Sequence, residues 1–134
     1  MWEDDAMHPF RTAVEAKDLE SVLDLLADDI VFRSPVVYKP YEGRDAVAVI
    51  LTAVFDVFDD FCYETEIGAD GAADHALVFR ARVGDRELQG CDFLHVREDG
   101  KIDDFTVMVR PMSGVHALAE AMRAKLEAVT PHVA

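Results

Sequence analysis

Leu88-Gln89-Gly90-Cys91-Asp92-Phe93-Leu94-His95-Val96-Arg97-Glu98-Asp99-Gly100-Lys101-Ile102 is the stretch from which the rest of the chain is read. Its first part alternates inward and outward positions as a strand does, and Glu98-Asp99-Gly100 supplies turn residues before a second run begins. Asp92 shares the parity of Leu88, Gly90, Leu94 and Val96, the apolar face, where an ionised carboxylate is costly. Burial there raises the pKa of an acid and lets it give up a proton near neutral pH, so Asp92 is the candidate catalytic residue. The alternative is an acid hydrogen-bonded to a neighbour for structure alone.

Outward from this stretch, strand-like runs cover roughly Cys62 to Gly68, His75 to Val83, Glu87 to Arg97 and Lys101 to Arg110. Short breaks such as Gly84-Asp85 separate them, so consecutive strands form an antiparallel meander. Upstream, residues 8–17 form a short amphipathic helix with Pro9 at its first position and Phe10, Ala13, Val14 and Lys17 at the three-four spacing. Asp18 caps a second helix bearing Leu19, Val22, Leu23 and Leu26. Ile30 to Phe32 make a brief strand ended by Ser34-Pro35, and Tyr38, Pro40 and Tyr41 follow in a loop that roofs a pocket. From Asp45 to about Asp59 almost no polar face remains, so that helix is expected to be buried on most sides. Ser113 caps a C-terminal helix with the stripe Val115, Leu118, Ala119, Met122 and Leu126. This order gives one α+β domain over residues 1–134: a curved antiparallel sheet wrapped around helices as a cone with an internal pocket, plus a C-terminal helix.

The chain has 134 residues, 51% of them hydrophobic, with 13 Lys and Arg against 27 Asp and Glu for a net charge of −14. That balance repels phosphate backbones and anionic headgroups, so neither nucleic acid nor a membrane is an expected partner. Met1-Trp2-Glu3-Asp4-Asp5 offers no basic or apolar leader, which predicts a cytoplasmic protein. Cys62 and Cys91 fall in different strands and read as buried thiols, and His8, His75, His116 and His132 lack ligand spacing, so no metal and no cofactor are expected.

Three segments carry a resemblance to a known family: Leu26-Ala27-Asp28-Asp29-Ile30-Val31-Phe32 leading into Ser34-Pro35-Val36, then Glu42-Gly43-Arg44-Asp45-Ala46-Val47, then Phe93-Leu94-His95-Val96 through Asp99-Gly100-Lys101-Ile102. Over about residues 6–112 the chain resembles the nuclear transport factor 2-like superfamily, in particular its SnoaL-like and ketosteroid isomerase-like members. That resemblance implies the cone-shaped fold and a choice among cyclase, isomerase and hydrolase chemistry, or no catalysis at all, since one scaffold hosts many activities. Ketosteroid isomerases use an Asp base, a Tyr and a protonated Asp. Matched to this sequence, the base position is Ser34, the Tyr position is Phe10, and the remaining acid is Asp92, so a standard ketosteroid isomerase is not expected.

The expected ligand is a small apolar molecule, with Phe10, Val14, Phe32, Tyr38, Phe55, Phe58, Leu88, Phe105, Val107 and Val109 as the pocket wall around Asp92. The competing reading is a binding or protein-interaction module whose pocket is filled by its own side chains. Arg80 and Arg82 are read as outward and paired with acids, or, in the other register, with Arg80 entering the pocket. His95, Gln89, Cys91, Phe93, Thr106 and Met108 occupy the outer sheet face. This face mixes apolar and polar side chains, and a solvent-exposed Phe93 and Met108 point to a homodimer.

Overall fold

The protein is described here by a computed structural model, over residues 7–129. Residues 1–5, read as lacking a leader, and His132 lie outside that range. Four helices and six strands follow one another as α1 (Pro9–Glu15), α2 (Leu19–Asp24), β1 (Leu26–Arg33), β2 (Tyr41–Glu42), α3 (Arg44–Val57), β3 (Asp59–Ile67), β4 (Asp74–Val83), β5 (Arg86–Val96), β6 (Ile102–Arg110) and α4 (Met112–Val129). The strands form one unclosed, curved sheet in the order β2-β1-β6-β5-β4-β3.

Strands β3 to β6 are the expected meander, paired antiparallel throughout. β1 differs, running parallel to β6 with Phe32 beside Phe105. Only strands joined by a tight turn are obliged to be antiparallel, and the rest of the fold separates β1 from β6. β1 also begins earlier than the sequence suggests. Leu26 continues the helical spacing of Leu19, Val22 and Leu23, yet α2 stops at Asp24 because Leu26 pairs with Ile102 in the sheet.

Register shifts interrupt the ladder between β3 and β4, between β5 and β6, and between β1 and β6. Such irregularities add local bend and twist, which lets the sheet curve around the helices. Gly90 of β5 contributes on the concave side, where an added Cβ would collide with the Phe79 ring.

α1 begins with Pro9 at its first turn and the His8 ring accepting from the Phe10 N–H at 3.0 Å; α2 is capped by Asp18, which accepts from the Ser21 N–H. α3 buries Val47, Ile50, Leu51 and Ala53 but leaves Asp45, Val49, Thr52 and Asp56 exposed, so it is not enclosed on most sides. The reason is its seat: it packs on β1 and β2 with α2 and α4 alongside, and its outer stripe has nothing over it. α4 lies against α3 and against β4, β5 and β6, its Leu118 and Met122 entering the core and Lys125 reaching Asp56 at 3.2 Å.

Cys62 corrects one expectation. It is exposed, because β3 is the sheet edge and Cys62 faces away from the core while Tyr63 faces in; Cys91 is half-buried, and both thiols are free. No helix among the described residues is long and apolar enough to cross a membrane.

Candidate functional site

On β5 the alternation runs as the sequence implies: Leu88, Gly90, Asp92 and Leu94 are buried, while Gln89 and Cys91 are half-buried and Phe93 is exposed. Asp92 is 5% exposed and sits between Leu77 of β4 and Val107 of β6. A carboxyl in such surroundings needs a hydrogen-bond partner, and the Tyr63 hydroxyl supplies it, donating to Asp92 Oδ2 at 2.7 Å. Tyr63 comes from β3, one strand beyond β4, so its phenol crosses a gap of roughly 10 Å at the usual strand spacing. Its register neighbours are Phe79 on β4 and, across from that, Gly90.

Burial raises the Asp92 pKa to about 7, and the bond from Tyr63 partly opposes the rise. Burial likewise pushes the Tyr63 phenol well above its ordinary value, with the Asp92 charge adding to the effect. Tyr63 therefore stays protonated as a donor, while Asp92 changes charge near neutral pH.

Above the pair lies a cavity of about 330 Å3. One aromatic group walls it from α1, β1 and β6, where Phe105 meets Phe10 and Phe32 edge-on at 5.3 and 5.0 Å. A second group stands on the β3–β4 side, where Phe61 stacks on Phe79 at 4.8 Å and meets Tyr63 edge-on at 4.9 Å, with Phe58 against both Phe61 and Phe79. Aliphatic side chains from α1, α3, β6 and α4, among them Val14, Leu51, Val107 and Leu118, complete the wall. Exposed Glu15, Lys17, Asp59 and Asp60, together with half-exposed Arg82, mark where it opens to solvent.

Of the wall expected from the sequence, Phe10, Val14, Phe32, Phe55, Phe58, Phe105 and Val107 meet here with Asp92. Tyr38 does not: it is 100% exposed, because the loop before β2 turns outward instead of roofing the cavity. Leu88 and Val109 have inward parity but lie too far along their strands. Leu88 is buried next to Gly114 of α4, and Val109 pairs with Gly90, two positions past Val107. Ser34 is also away from the cavity; its hydroxyl accepts from the Val36 and Val37 N–H groups and closes a turn.

Tyr63, Phe61 and Phe79 are among the site residues that the sequence reading leaves out, and Tyr63 is the chief one because it bonds Asp92. The alternation Phe61, Tyr63 on β3 was a signal for them, as was the need of a buried acid for a donor. Arg80 points outward to Glu64 at 3.4 Å, and Arg82 is held by Asp60 at 2.8 Å. His95 lies on the outer face, where its bond to Asp103 at 2.7 Å raises its pKa.

A larger, more open depression of about 1130 Å3 lies between α3, α4 and residues 34–41. Neither Asp92 nor Tyr63 reaches it, so it lacks the titrating pair that gives the smaller cavity its chemistry.

Residues 8–105 match the family of SnoaL-like domains. Among solved structures, a steroid delta-isomerase from Pseudomonas aeruginosa is 45% identical, covering 90% of this chain and 88% of its own, with a TM-score of 0.84. A protein with a cystatin-like fold from Silicibacter pomeroyi DSS-3 is 38% identical over 90% of this chain and 87% of its own, with a TM-score of 0.82. A protein from Kribbella flavida DSM 17836 shares the fold at 16% identity and a TM-score of 0.69, over 89% of this chain and 92% of its own. No curated protein matches this chain.

Proposed function

The chain belongs to the SnoaL-like domain family, and from that membership we propose that it binds a small, mostly apolar molecule at Asp92 and moves a proton on it without a cofactor, chemistry of the isomerase kind. The observation that carries this reading is one carboxyl, titrating at about 7 and bonded to the Tyr63 hydroxyl, at the floor of an aromatic-lined cavity. The similarity to a steroid delta-isomerase at 45% identity supports it.

The proton inventory closes on Asp92 alone. As a carboxylate it takes the proton from the carbon between a ketone and a double bond; the C–H bond breaks, an O–H bond forms on Asp92, and the electron pair passes to the ketone oxygen as an enolate. Neutralising Asp92 removes the charge that held the Tyr63 hydroxyl, which then turns to donate to the enolate oxygen. Asp92 returns its proton to the far carbon of the former double bond, leaving the conjugated isomer and a regenerated carboxylate. Ser34, at the position the family resemblance gives to the base, takes no part.

A β,γ-unsaturated ketosteroid offered to the protein is expected to give its conjugated isomer, followed by ultraviolet absorbance. The rate constant kcat/KM should rise with pH to a plateau above about 7, and Asp92→Asn should lower it by about a hundredfold or more. A rate that instead falls above that pH would make Asp92 the acid and overturn the step as written. Saturable binding without turnover, in wild type and variant alike, would establish the second reading, a non-catalytic binder, which the serine at the base position favours.

We also infer that the outer sheet face pairs with a second copy of the chain. Phe93 is 41% and Met108 59% exposed there. Arg80, paired with Glu64, and Asp104, paired with Arg33, form a polar rim around these two apolar side chains, the anatomy of a pairing surface.

A further inference from the structure

Among the described residues, the non-glycine residues with positive φ are Lys17, at 57°, and Asp60, at 54°. Both line the mouth of the Asp92 cavity, although they come from separate parts of the chain, the α1–α2 link and the start of β3. Side chains with a Cβ rarely adopt this conformation, and it persists where surrounding structure holds it. At Lys17 the hold is visible: its N–H donates to the Val14 carbonyl at 2.9 Å, and the next residue donates to Ala13 at 3.0 Å.

The mouth charges are mostly committed. Glu15 is held by Arg11 at 3.2 Å and Asp60 by Arg82 at 2.8 Å, with Asp59 facing the same arginine at 4.0 Å. The Lys17 ammonium has no ion pair or side-chain hydrogen bond among the described residues. On a chain of net charge −14, an uncommitted cation at the mouth of the titrating cavity is the feature to explain.

We propose that Lys17 is a specificity residue that receives an anionic group at the mouth, so that the ligand class is an apolar skeleton with a neutral oxygen toward Asp92 and a carboxylate, sulfate or sulfonate at its opposite end. This deepens the reading given above and rests on it, because the apolar part of the ligand must occupy the cavity. The anion stays in water-accessible surroundings, where a single ion pair adds modest affinity and mainly selects one ligand over another.

The test uses two fluorescent probes of equal ring system, 8-anilinonaphthalene-1-sulfonate and its neutral parent N-phenyl-1-naphthylamine. The neutral probe should shift the methyl resonances of Val14 and Val107, which wall the cavity. The sulfonate should bind more tightly, and Lys17→Gln should weaken it by roughly fivefold while leaving the neutral probe unchanged, with Lys17→Arg restoring the preference. Equal losses for both probes, or no loss for either, would overturn the role of Lys17 and leave the cavity reading intact. Shifts confined to Val36 and Val37, in the larger depression, would overturn both. Lys17→Gly deletes the ammonium and removes the steric cost of the positive φ, so a loss of sulfonate preference there that matches Lys17→Gln marks the charge and not backbone strain.

Discussion

Asp92 stores a pH dependence that can be measured without any ligand. In the folded chain it titrates at about 7, against 3.8 for the ordinary carboxyl. Below the lower value it is protonated in both states and burial carries no penalty. Between the two the unfolded chain ionises first, so stability falls as pH rises and levels off above about 7; a shift of this size corresponds to on the order of 4 kcal/mol. Asp92→Asn should remove that slope, so its unfolding midpoint, measured in urea at pH 5 and pH 8, should gain on wild type at the higher pH. Tyr63→Phe takes away the one bond that favours the ionised form, so the Asp92 titration, read from its carboxyl carbon resonance, should move upward. Asp92 was legible because one acid broke an apolar alternation. Tyr63 carried only the weaker signal of its alternation with Phe61, because its partner sits two strands away, a relation that only the register fixes.

At the scale of elements, α1 is fastened to the β3–β4 end of the sheet through His8. Its backbone N–H donates to Glu66 at 2.9 Å, its ring accepts from Phe10, and that ring meets His75 edge-on at 4.6 Å. Burial first, and His75 second, lower the His8 pKa to about 4. Above about 6.5 His8 is neutral in both states; as pH falls toward 4 the unfolded chain takes the proton more readily, and stability is lost. His8→Asn retains an N-cap acceptor without the titration. Thermal melts of that variant between pH 7 and pH 5 should show stability rising as pH falls, the Asp92 trend unopposed, where wild type shows the two trends offset. The helices and the meander were readable to within a few residues from periodicity and turn chemistry. The start of β1 was not, because Leu26 fits a helical stripe and a sheet ladder equally well, and pairing with Ile102 decided between them.

At the scale of the molecule, the α+β cone follows from the order of elements, whereas the parallel β1–β6 pairing joins segments about seventy residues apart, which no local signal records. The outer face carries the remaining prediction. Phe93→Asp with Met108→Asp places like charges at the centre of the proposed pairing surface, and sedimentation velocity should show wild type at twice the mass of the variant, with the cavity chemistry of the monomer to be compared directly. A wild-type monomer at micromolar concentration would rule the pairing out.

Phe32, Pro35, Val54 and Leu118 each border both the Asp92 cavity and the larger depression behind it. The two hollows thus share a partition one side chain thick, with α4 supplying one of its panels. Shortening that panel, as in Leu118→Ala, would turn a blind chamber into a through-passage without moving the carboxyl or the phenol. Under the function proposed above, a few panels would set ligand length and the floor reactivity, so the two could diverge independently in descent.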